Sequence, residues 1–302
     1  MAAIAPTQQV RSTVELALRG TKRDVAGRLF QAGLLLSLLL ALAILIVLLG
    51  TALVDAWPVL STRVGDFVTK DVSRLDSRAG VRQGVVGSLI LIGFVAVVAL
   101  PLGIAAAIYL QEYARDTRMN RLLTTNIRNL AGVPSIVYGI LGLVVFVKTL
   151  RTLTGPENFG RSFISGGMTL AVLVLPIIIL ITMEALRSVP KSIREAAYGV
   201  GATRWEVVRS HVLPYAAPGV FTGTILSLAR AFGETAPLLL VGAVTGYLST
   251  PTGRSPLEIL QGSYTSLPTL IFSWSRLAGE GWEANTAAAI IVLLAIILVV
   301  NL

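Results

Sequence analysis

Residues 188–219, SVPKSIREAAYGVGATRWEVVRSHVLPYAAPG, form a polar segment between two long apolar runs of the chain. Pro190 suits the first turn of a helix, and Gly199 and Gly201 end that helix. The sequence TRWEVVRSHVLP then predicts a second short helix that ends before Pro214. The first helix carries an apolar stripe of mostly small residues at helical spacing, namely Ile193, Ala196, Ala197 and Val200. The segment therefore predicts a compact helix–turn–helix whose small residues can fit closely into a groove of a partner protein.

The apolar runs beside this segment belong to a strongly hydrophobic chain. Of its 302 residues, 54% are hydrophobic and only 14% are charged, whereas soluble domains carry about a quarter charged residues. Residues 33–50, GLLLSLLLALAILIVLLG, contain no charge and have nearly the length, about 20 residues, of a helix that crosses the hydrocarbon core. The run is too long for the apolar part of a signal peptide, and no A-x-A cleavage site follows it. We therefore predict an all-α polytopic membrane protein.

Six apolar runs have the length of a membrane span, and they cover residues 30–54, 84–110, 129–150, 166–186, 217–245 and 283–302. Lys and Arg are more frequent before the first run and in the loops 111–128 and 187–216 than in the loops on the other side. Because loops rich in these residues stay in the cytoplasm, we predict that both termini are cytoplasmic. The net charge of +9 is spread over the loops and is not clustered on a soluble face, which predicts no nucleic-acid partner.

Two long loops lie on the predicted outer side. Residues 55–83 alternate apolar and charged residues at helical spacing, which predicts an amphipathic helix on the outer surface or against the other spans. Residues 246–282 contain three prolines around short apolar pieces. Irregular backbone is not viable where it faces lipid, so we expect this second loop to cover or line protein.

The residue types needed for catalysis or metal binding are almost absent. The chain has no cysteine and one histidine, His211, and no cluster of His, Asp and Glu at metal-ligand spacing. The stretch GPENFGRS, residues 155–162, nearly fits a phosphate-binding loop, but Arg161 stands where the lysine is needed and no strand precedes it. We predict no catalytic residue, no metal site and no cofactor bound by this chain. If ATP drives the protein, another subunit binds it.

The stretch SLARAFGETAPLLLVGA, residues 227–243, places Arg230 and Glu234 in an apolar run. Residues at i and i+4 share one face of a helix, so the two side chains can reach each other. A membrane arginine costs about 2.5–3.5 kcal/mol on insertion scales and usually faces a bundle interior or a water-filled path. The pair is either a structural ion pair or a site where the planar guanidinium binds an anion bidentately. Thr235 can add a hydroxyl donor, and Pro237 is expected to break the helix.

Residues 188–214 resemble the EAA loop of ABC-importer permeases, whose pattern is E-A-A, three residues, G, nine residues and I-x-L-P. His211 replaces the isoleucine, and the matching residues are Glu195, Ala196, Ala197, Gly201, Leu213 and Pro214. In that family the loop docks into a cleft on the ATPase subunit and carries its power stroke to the membrane helices. The resemblance therefore implies that these six residues couple to an ATPase and that the fold is that of a type I ABC-importer (MetI-like) permease.

Two further stretches resemble the PstA-type permeases of the bacterial phosphate-specific ABC importer. ARAFGETAPLL, residues 229–239, is similar to A-R-x-x-G-E-T-A-P-L-L, and GVPSIVYGILGL, residues 132–143, is similar to G-x-P-S-x-x-x-G. The resemblance extends from about Leu89 to the C-terminus. It implies transport of inorganic phosphate across the bacterial plasma (inner) membrane by alternating access. Arg230, Glu234 and Thr235 would line the substrate pathway, with Glu234 screening the arginine when the pathway is empty.

The resemblance also implies the partners and the domain organisation. The partners would be a second related permease (PstC type), two ATPase subunits (PstB type) that bind ATP with Mg, and an extracytoplasmic phosphate-binding protein (PstS type). Residues 1–28 would form a cytoplasmic N-terminal segment, and residues 29–302 the transmembrane permease domain with the coupling loop 187–216. Two alternatives remain open, which are a permease for another oxyanion or solute, and a secondary transporter or channel that works without an ATPase.

Overall fold

The computed structural model describes residues 25–243 and 255–301, so residues 1–24 of the N-terminal segment and part of the loop 246–282 lie outside the described residues. The described ranges are helical and contain no strand. The principal helices are α1 Val25–Thr69, α2 Arg82–Tyr113, α3 Arg118–Ala131, α4 Ser135–Thr149, α5 Phe163–Arg187, α6 Lys191–Gly199, α7 Arg204–Gly233, α8 Ala236–Val241, α9 Leu267–Trp274 and α10 Glu280–Asn301. Single helical turns in the loops cover Asp76–Arg78, Arg151–Thr154 and Pro256–Leu260.

The described helices include five that are long and apolar enough to cross a membrane, which are α1, α2, α5, α7 and α10. Helices α3 and α4 meet this criterion only together, and they are bent by 100° at the break between them. The predicted all-α membrane class is confirmed. Six spans were predicted, and the described residues contain five such helices and one bent pair. The predicted third span, 129–150, is wrong at its start. Helix α3 ends at Ala131, because Pro134 disfavours helical backbone at Val133.

The described residues form two compact units that divide between Thr51 and Ala52. The first contains the N-terminal half of α1, whose apolar side chains are exposed, as in a helix surrounded by lipid. The second has its main core where α2, α5 and α7 pack together. A β-carbon added at Gly103 of α2 would lie 2.6 Å from a side-chain carbon of Ile178 in α5. Glycine thus lets these two helices approach closely.

The amphipathic helix predicted within residues 55–83 corresponds to the last part of α1, where two helical segments meet at a kink. The backbone of Arg63 leaves the helical region (φ −145°, ψ 28°). Its guanidinium donates to the carbonyl oxygens of Asp76 at 2.8 Å and Ala79 at 3.0 Å, and to the side-chain oxygen of Asn285 in α10. Phe67, one turn further on, is fully buried. The half-buried contacts of Arg63 and the buried Phe67 therefore hold the last part of α1 in place, and Arg63 connects it to α10.

The predicted second short helix of the coupling segment, expected to end before Pro214, is instead the first part of α7. The helix runs without a break from Arg204 to Gly233. A wider turn with π-helical hydrogen bonding at Val208–Val212 precedes the proline. Proline lacks the N–H group of the helical ladder and its ring crowds the preceding turn, and a π-type turn relieves both problems. The second part of the coupling segment and the apolar part of α7 are thus one continuous helix.

Candidate functional site

Arg230 and Glu234 lie on either side of a helix end and not along one helix. Helix α7 ends at Gly233, Glu234 has extended backbone (φ −73°, ψ 125°), and α8 begins at Ala236. Arg230 is in the last turn of α7, where the helix dipole favours a positive charge. Its Nε lies 3.6 Å from Oε1 of Glu234. The predicted contact is present, but the prediction that both residues share one helical face is wrong, because the helix stops before the glutamate.

The two partners of this ion pair differ in exposure. The side chain of Arg230 is 57% exposed and that of Glu234 only 16%. Arg230 donates no hydrogen bond within the described part of the chain, so its contact with the glutamate is a long electrostatic one. The Nη edge of the guanidinium fork is therefore free to donate to an external anion. The half-buried hydroxyl of Thr235 likewise has no hydrogen-bond partner among the described residues.

Pro237 does not break the helix, because the break lies three residues before it. It occupies the first turn of α8, where its missing N–H has no consequence. A β-carbon added at Gly139 of α4 would lie 2.7 Å from the Cα of Pro237. The two stretches that carry the phosphate-importer resemblance are therefore packed directly on each other.

The coupling segment has one buried and one exposed side. Helix α6 ends in a turn at Gly201, whose φ of +86° is a glycine conformation. Thr203 and Glu206 form a reciprocal cap at the start of α7, with the Thr203 N–H donating to Glu206 at 2.7 Å. Of the six residues that match the EAA pattern, Ala197 is buried and Leu213 is half-buried, whereas the other four are exposed: Glu195, Ala196, Gly201 and Pro214.

Exposed apolar side chains accompany the outward-facing residues of α6 and the following turn. Val200 is 85% exposed, and Tyr198 and Trp205 are about half exposed. The inward side packs on the ends of α2 and α5 in a cluster that includes Leu186, Val189, Ala197 and Val207. The segment thus presents an apolar surface while its other side is fixed to the membrane helices.

The most buried ion pair among the described residues belongs to this segment and was not predicted. Arg194 in α6 donates through Nη2 to Glu112 at the end of α2 at 2.7 Å, and Glu112 is only 8% exposed. The same guanidinium also donates to the carbonyl oxygen of Leu186 at 2.9 Å, within the end of α5, and to that of Val189 at 2.7 Å, just beyond it. The only signal in the sequence is a lone glutamate at the end of an apolar run. Eighty-two residues separate it from its partner, so no local pattern joins them.

Comparisons with known proteins agree with this arrangement. Residues 99–302 match the family model described as binding-protein-dependent transport system inner membrane component. The chain is 37% identical over 194 residues to the phosphate transport system permease protein PstA 1 of Mycobacterium tuberculosis (strain ATCC 25618 / H37Rv), covering 64% of this chain and 58% of that protein. It is 33% identical over 224 residues to the probable ABC transporter permease protein YqgI of Bacillus subtilis (strain 168), covering 74% of this chain and 72% of that protein.

Solved structures share the fold. A bacterial ABC transporter involved in the import of the acidic polysaccharide alginate superposes with a TM-score of 0.61 at 18% identity, covering 92% of this chain and 97% of that one. The inward-facing MetNI methionine ABC transporter gives a TM-score of 0.53 at 17% identity, covering 74% and 89%. These likenesses confirm the predicted MetI-like fold. The family model and the apolar helices of the described residues support a multi-pass inner-membrane protein. The chain belongs to the inner-membrane permease family of binding-protein-dependent ABC importers, in which the ATPase is a separate subunit.

Proposed function

We propose that this permease carries inorganic phosphate across the plasma membrane by alternating access. The observation that carries the proposal is the exposed guanidinium of Arg230, held beside Glu234 at the break between α7 and α8. Relatives also support the proposal, because the chain is 37% identical over 194 residues to a phosphate transport permease. Relatives such as YqgI have names that specify no substrate. The choice of phosphate as the substrate therefore depends on the chemistry of the site.

The geometry suits a site that binds an anion and then releases it. A phosphate can accept two hydrogen bonds from the planar guanidinium fork, and Thr235 can donate a third. The contact between Arg230 and Glu234 is long, at 3.6 Å, and the arginine side is 57% exposed, so an incoming anion can compete with the carboxylate for the guanidinium. When the anion leaves, the carboxylate again neutralises the arginine. Glu234 therefore shortens the residence of the anion and keeps Arg230 oriented between cycles.

The exposed side of α6 is the proposed contact with an ATPase subunit. Val200, Tyr198 and Trp205 offer apolar area around the exposed Glu195, Ala196 and Gly201. Two ATPase subunits (PstB type) would bind ATP with Mg, a related permease (PstC type) would complete the pathway, and a phosphate-binding protein (PstS type) would deliver the ion. A solved relative in fold is complexed with a substrate-bound periplasmic protein, which supports this class of partner.

The proposed contact with an ATPase also implies the orientation of the chain in the membrane and its division into domains. The segment 188–214 and both termini are placed in the cytoplasm, since the ATPase and its ATP are there. Residues 1–28 form the cytoplasmic N-terminal segment and residues 29–302 the permease domain. Leu213 and Pro214 lie at the start of the membrane part of α7, so a displacement of α6 and the first turn of α7 reaches Arg230 along one continuous helix.

ATP-dependent uptake of labelled phosphate into vesicles that contain the whole complex tests this proposal. Arg230→Gln is expected to abolish uptake while the complex still assembles and hydrolyses ATP. Arg276→Gln, which removes an exposed arginine from the segment after α9, is the matched control and should leave uptake unchanged. Normal uptake by Arg230→Gln would make the pair purely structural, and competition by sulfate as strong as by phosphate would point to another oxyanion. Uptake without any ATPase would indicate a secondary transporter.

A further inference from the structure

Helix α3, Arg118–Ala131, differs from every other long helix in the described part of the chain. It is strongly amphipathic, and none of its residues is buried. Thr117 caps its N-terminus by accepting a hydrogen bond from the Asn120 N–H at 3.2 Å, so the helix is a defined element and not a frayed end. Large apolar side chains are exposed along it, namely Met119 at 64%, Leu122 at 57%, Leu123 at 44% and Leu130 at 46%.

The residues of α3 fall on three sides when they are placed at 3.6 residues per turn. The half-buried side faces the rest of the protein and consists of Asn120, Thr124, Ile127 and Ala131. Three of the exposed apolar residues, Met119, Leu123 and Leu130, lie roughly a quarter turn to one side, and Leu122 lies beyond them, nearly opposite the half-buried side. Two exposed arginines, Arg121 and Arg128, lie roughly a quarter turn to the other side, and Arg118 lies beyond them. The helix therefore contacts the protein with one side and has an apolar flank and a basic flank on either side of that contact, and the two flanks meet at Leu122 and Arg118.

The direction of α3 relative to the membrane helices explains these flanks. The helix is bent by 100° from α4, which continues the path toward α5. Helix α4 packs on α5, which is long enough to cross a membrane. We infer that α3, which is turned by 100° from α4, lies along the plane of the bilayer and does not cross it. Ile127 packs in the same cluster as Ala197 and Val207 of the coupling segment, so α3 lies at the membrane face that carries α6. The apolar flank then points into the bilayer and the basic flank toward its surface, as in interfacial helices.

We propose that α3 is an interfacial helix of the inner leaflet and that its arginines bind the phosphate groups of anionic phospholipids. Its leaflet follows from the orientation given under the proposed function. The charges are complementary to such headgroups, and a basic residue near an anionic leaflet strengthens binding by about fivefold. Arg121 has a competing partner, Asp116, at 3.4 Å, but both side chains are mostly exposed. Arg118 and Arg128 have no ion pair among the described residues, and so both are available to lipid.

Quenching by brominated lipids tests this contact in the assembled complex. The chain has no cysteine, so Leu122→Cys places a single bimane label on the apolar flank when the partner subunits are also cysteine-free. The complex is reconstituted in nanodiscs of phosphatidylcholine with an equal fraction of brominated phosphatidylglycerol or brominated phosphatidylcholine. We expect both lipids to quench the label, and the brominated phosphatidylglycerol about two- to fivefold more strongly.

Two variants isolate the role of the arginines. Combining Leu122→Cys with Arg118→Gln, Arg121→Gln and Arg128→Gln is expected to equalise the quenching by the two lipids, and replacing the same arginines by lysine should keep the preference. Val97→Cys, an exposed position in the apolar part of α2, is the control that should show quenching without preference.

Three results would overturn the proposal. Absence of quenching by either lipid at position 122 would show that a partner subunit covers this flank. Equal quenching in the chain that keeps its arginines would show that they do not select anionic headgroups. A preference as strong at position 97 as at position 122 would show a general enrichment of the anionic lipid around the protein. None of these readings depends on phosphate transport, so a wrong substrate assignment leaves the test intact.

Discussion

Arg194 and Glu112 form a nearly buried ion pair that joins the coupling helix to the end of a membrane helix. The guanidinium donates through Nη2 and Nε to the two carboxylate oxygens, at 2.7 Å and 3.4 Å. It also reaches two main-chain carbonyl oxygens at and just beyond the end of α5. One side chain therefore connects α6, α2 and α5. We infer that these three elements move together when the exposed side of α6 is displaced.

The first prediction concerns this connection. Glu112→Gln leaves the arginine without its counter-charge in a largely buried place, and loss of one partner of such a pair costs about 3 kcal/mol. We expect a lower melting temperature of the purified complex and loss of phosphate uptake, with ATP hydrolysis retained. The measurements are thermal unfolding, uptake and ATPase activity on the same preparation.

The double variant Glu112→Gln with Arg194→Gln separates a specific pair from two unrelated residues. Because the two residues share one contact, the double variant should be less destabilised than the sum of the single variants. Arg187→Gln is the matched control, since its pair with Glu184 is exposed and contributes at most about 1 kcal/mol. Additive losses from Glu112 and Arg194 would contradict the inferred connection.

The second prediction concerns the shape of the cation in the proposed pathway. Arg230→Lys keeps the charge but loses the planar fork that binds two oxygens of one anion. A lost charge-assisted hydrogen bond is worth about 1.5–3 kcal/mol, so we expect phosphate uptake to fall by about tenfold or more. Uptake kinetics in vesicles measure the change. Uptake equal to the unmodified protein would show that charge alone, and not bidentate geometry, is required.

The third prediction concerns the close contact between α4 and α8. Gly139→Ala places a methyl group against the backbone of Pro237, and overpacking of this kind costs about 1–3 kcal/mol. We expect lower thermal stability and reduced uptake, because α8 follows directly on Arg230 and Glu234. Gly93→Ala in α2 is the control, since nothing lies within 4 Å of the added carbon. Equal effects of the two substitutions would mean that the contact is not tight in the native complex.

Much of the fold was predictable because membrane spans can be recognised from the local composition of the chain. Apolar runs and their lengths gave the helical class, and the glycine pattern gave the turn at Gly201. The effect of proline on the helices was predicted wrongly at two positions. Pro214 was expected to end a helix, and a π-type turn before it keeps the helix continuous. Pro237 was expected to break a helix that had already ended at Gly233.

The candidate site was only partly predictable, for a physical reason. Arg230 and Glu234 are only four residues apart, and this spacing predicted their contact. The contacts of Arg63 with Asn285 and of Arg194 with Glu112 join residues far apart in the chain. Nothing in a local pattern distinguishes these arginines from those that only set the topology. Only the packing of the helices shows which charges are buried and paired.

The fourth prediction concerns the turn that shapes the coupling segment. Gly201 has a φ of +86°, and a left-handed backbone costs a residue with a β-carbon about 1–2 kcal/mol. Gly199 is the last residue of α6, and alanine there favours the helix by up to about 1 kcal/mol. Neither glycine has an atom within 4 Å of an added β-carbon, so the two alanine variants differ only in backbone strain. We expect Gly201→Ala to lower the melting temperature and the affinity for the ATPase subunit, and Gly199→Ala to do neither. If both variants bound the ATPase equally well, the shape of this turn would have no part in docking, and the exposed side chains of α6 alone would define the contact.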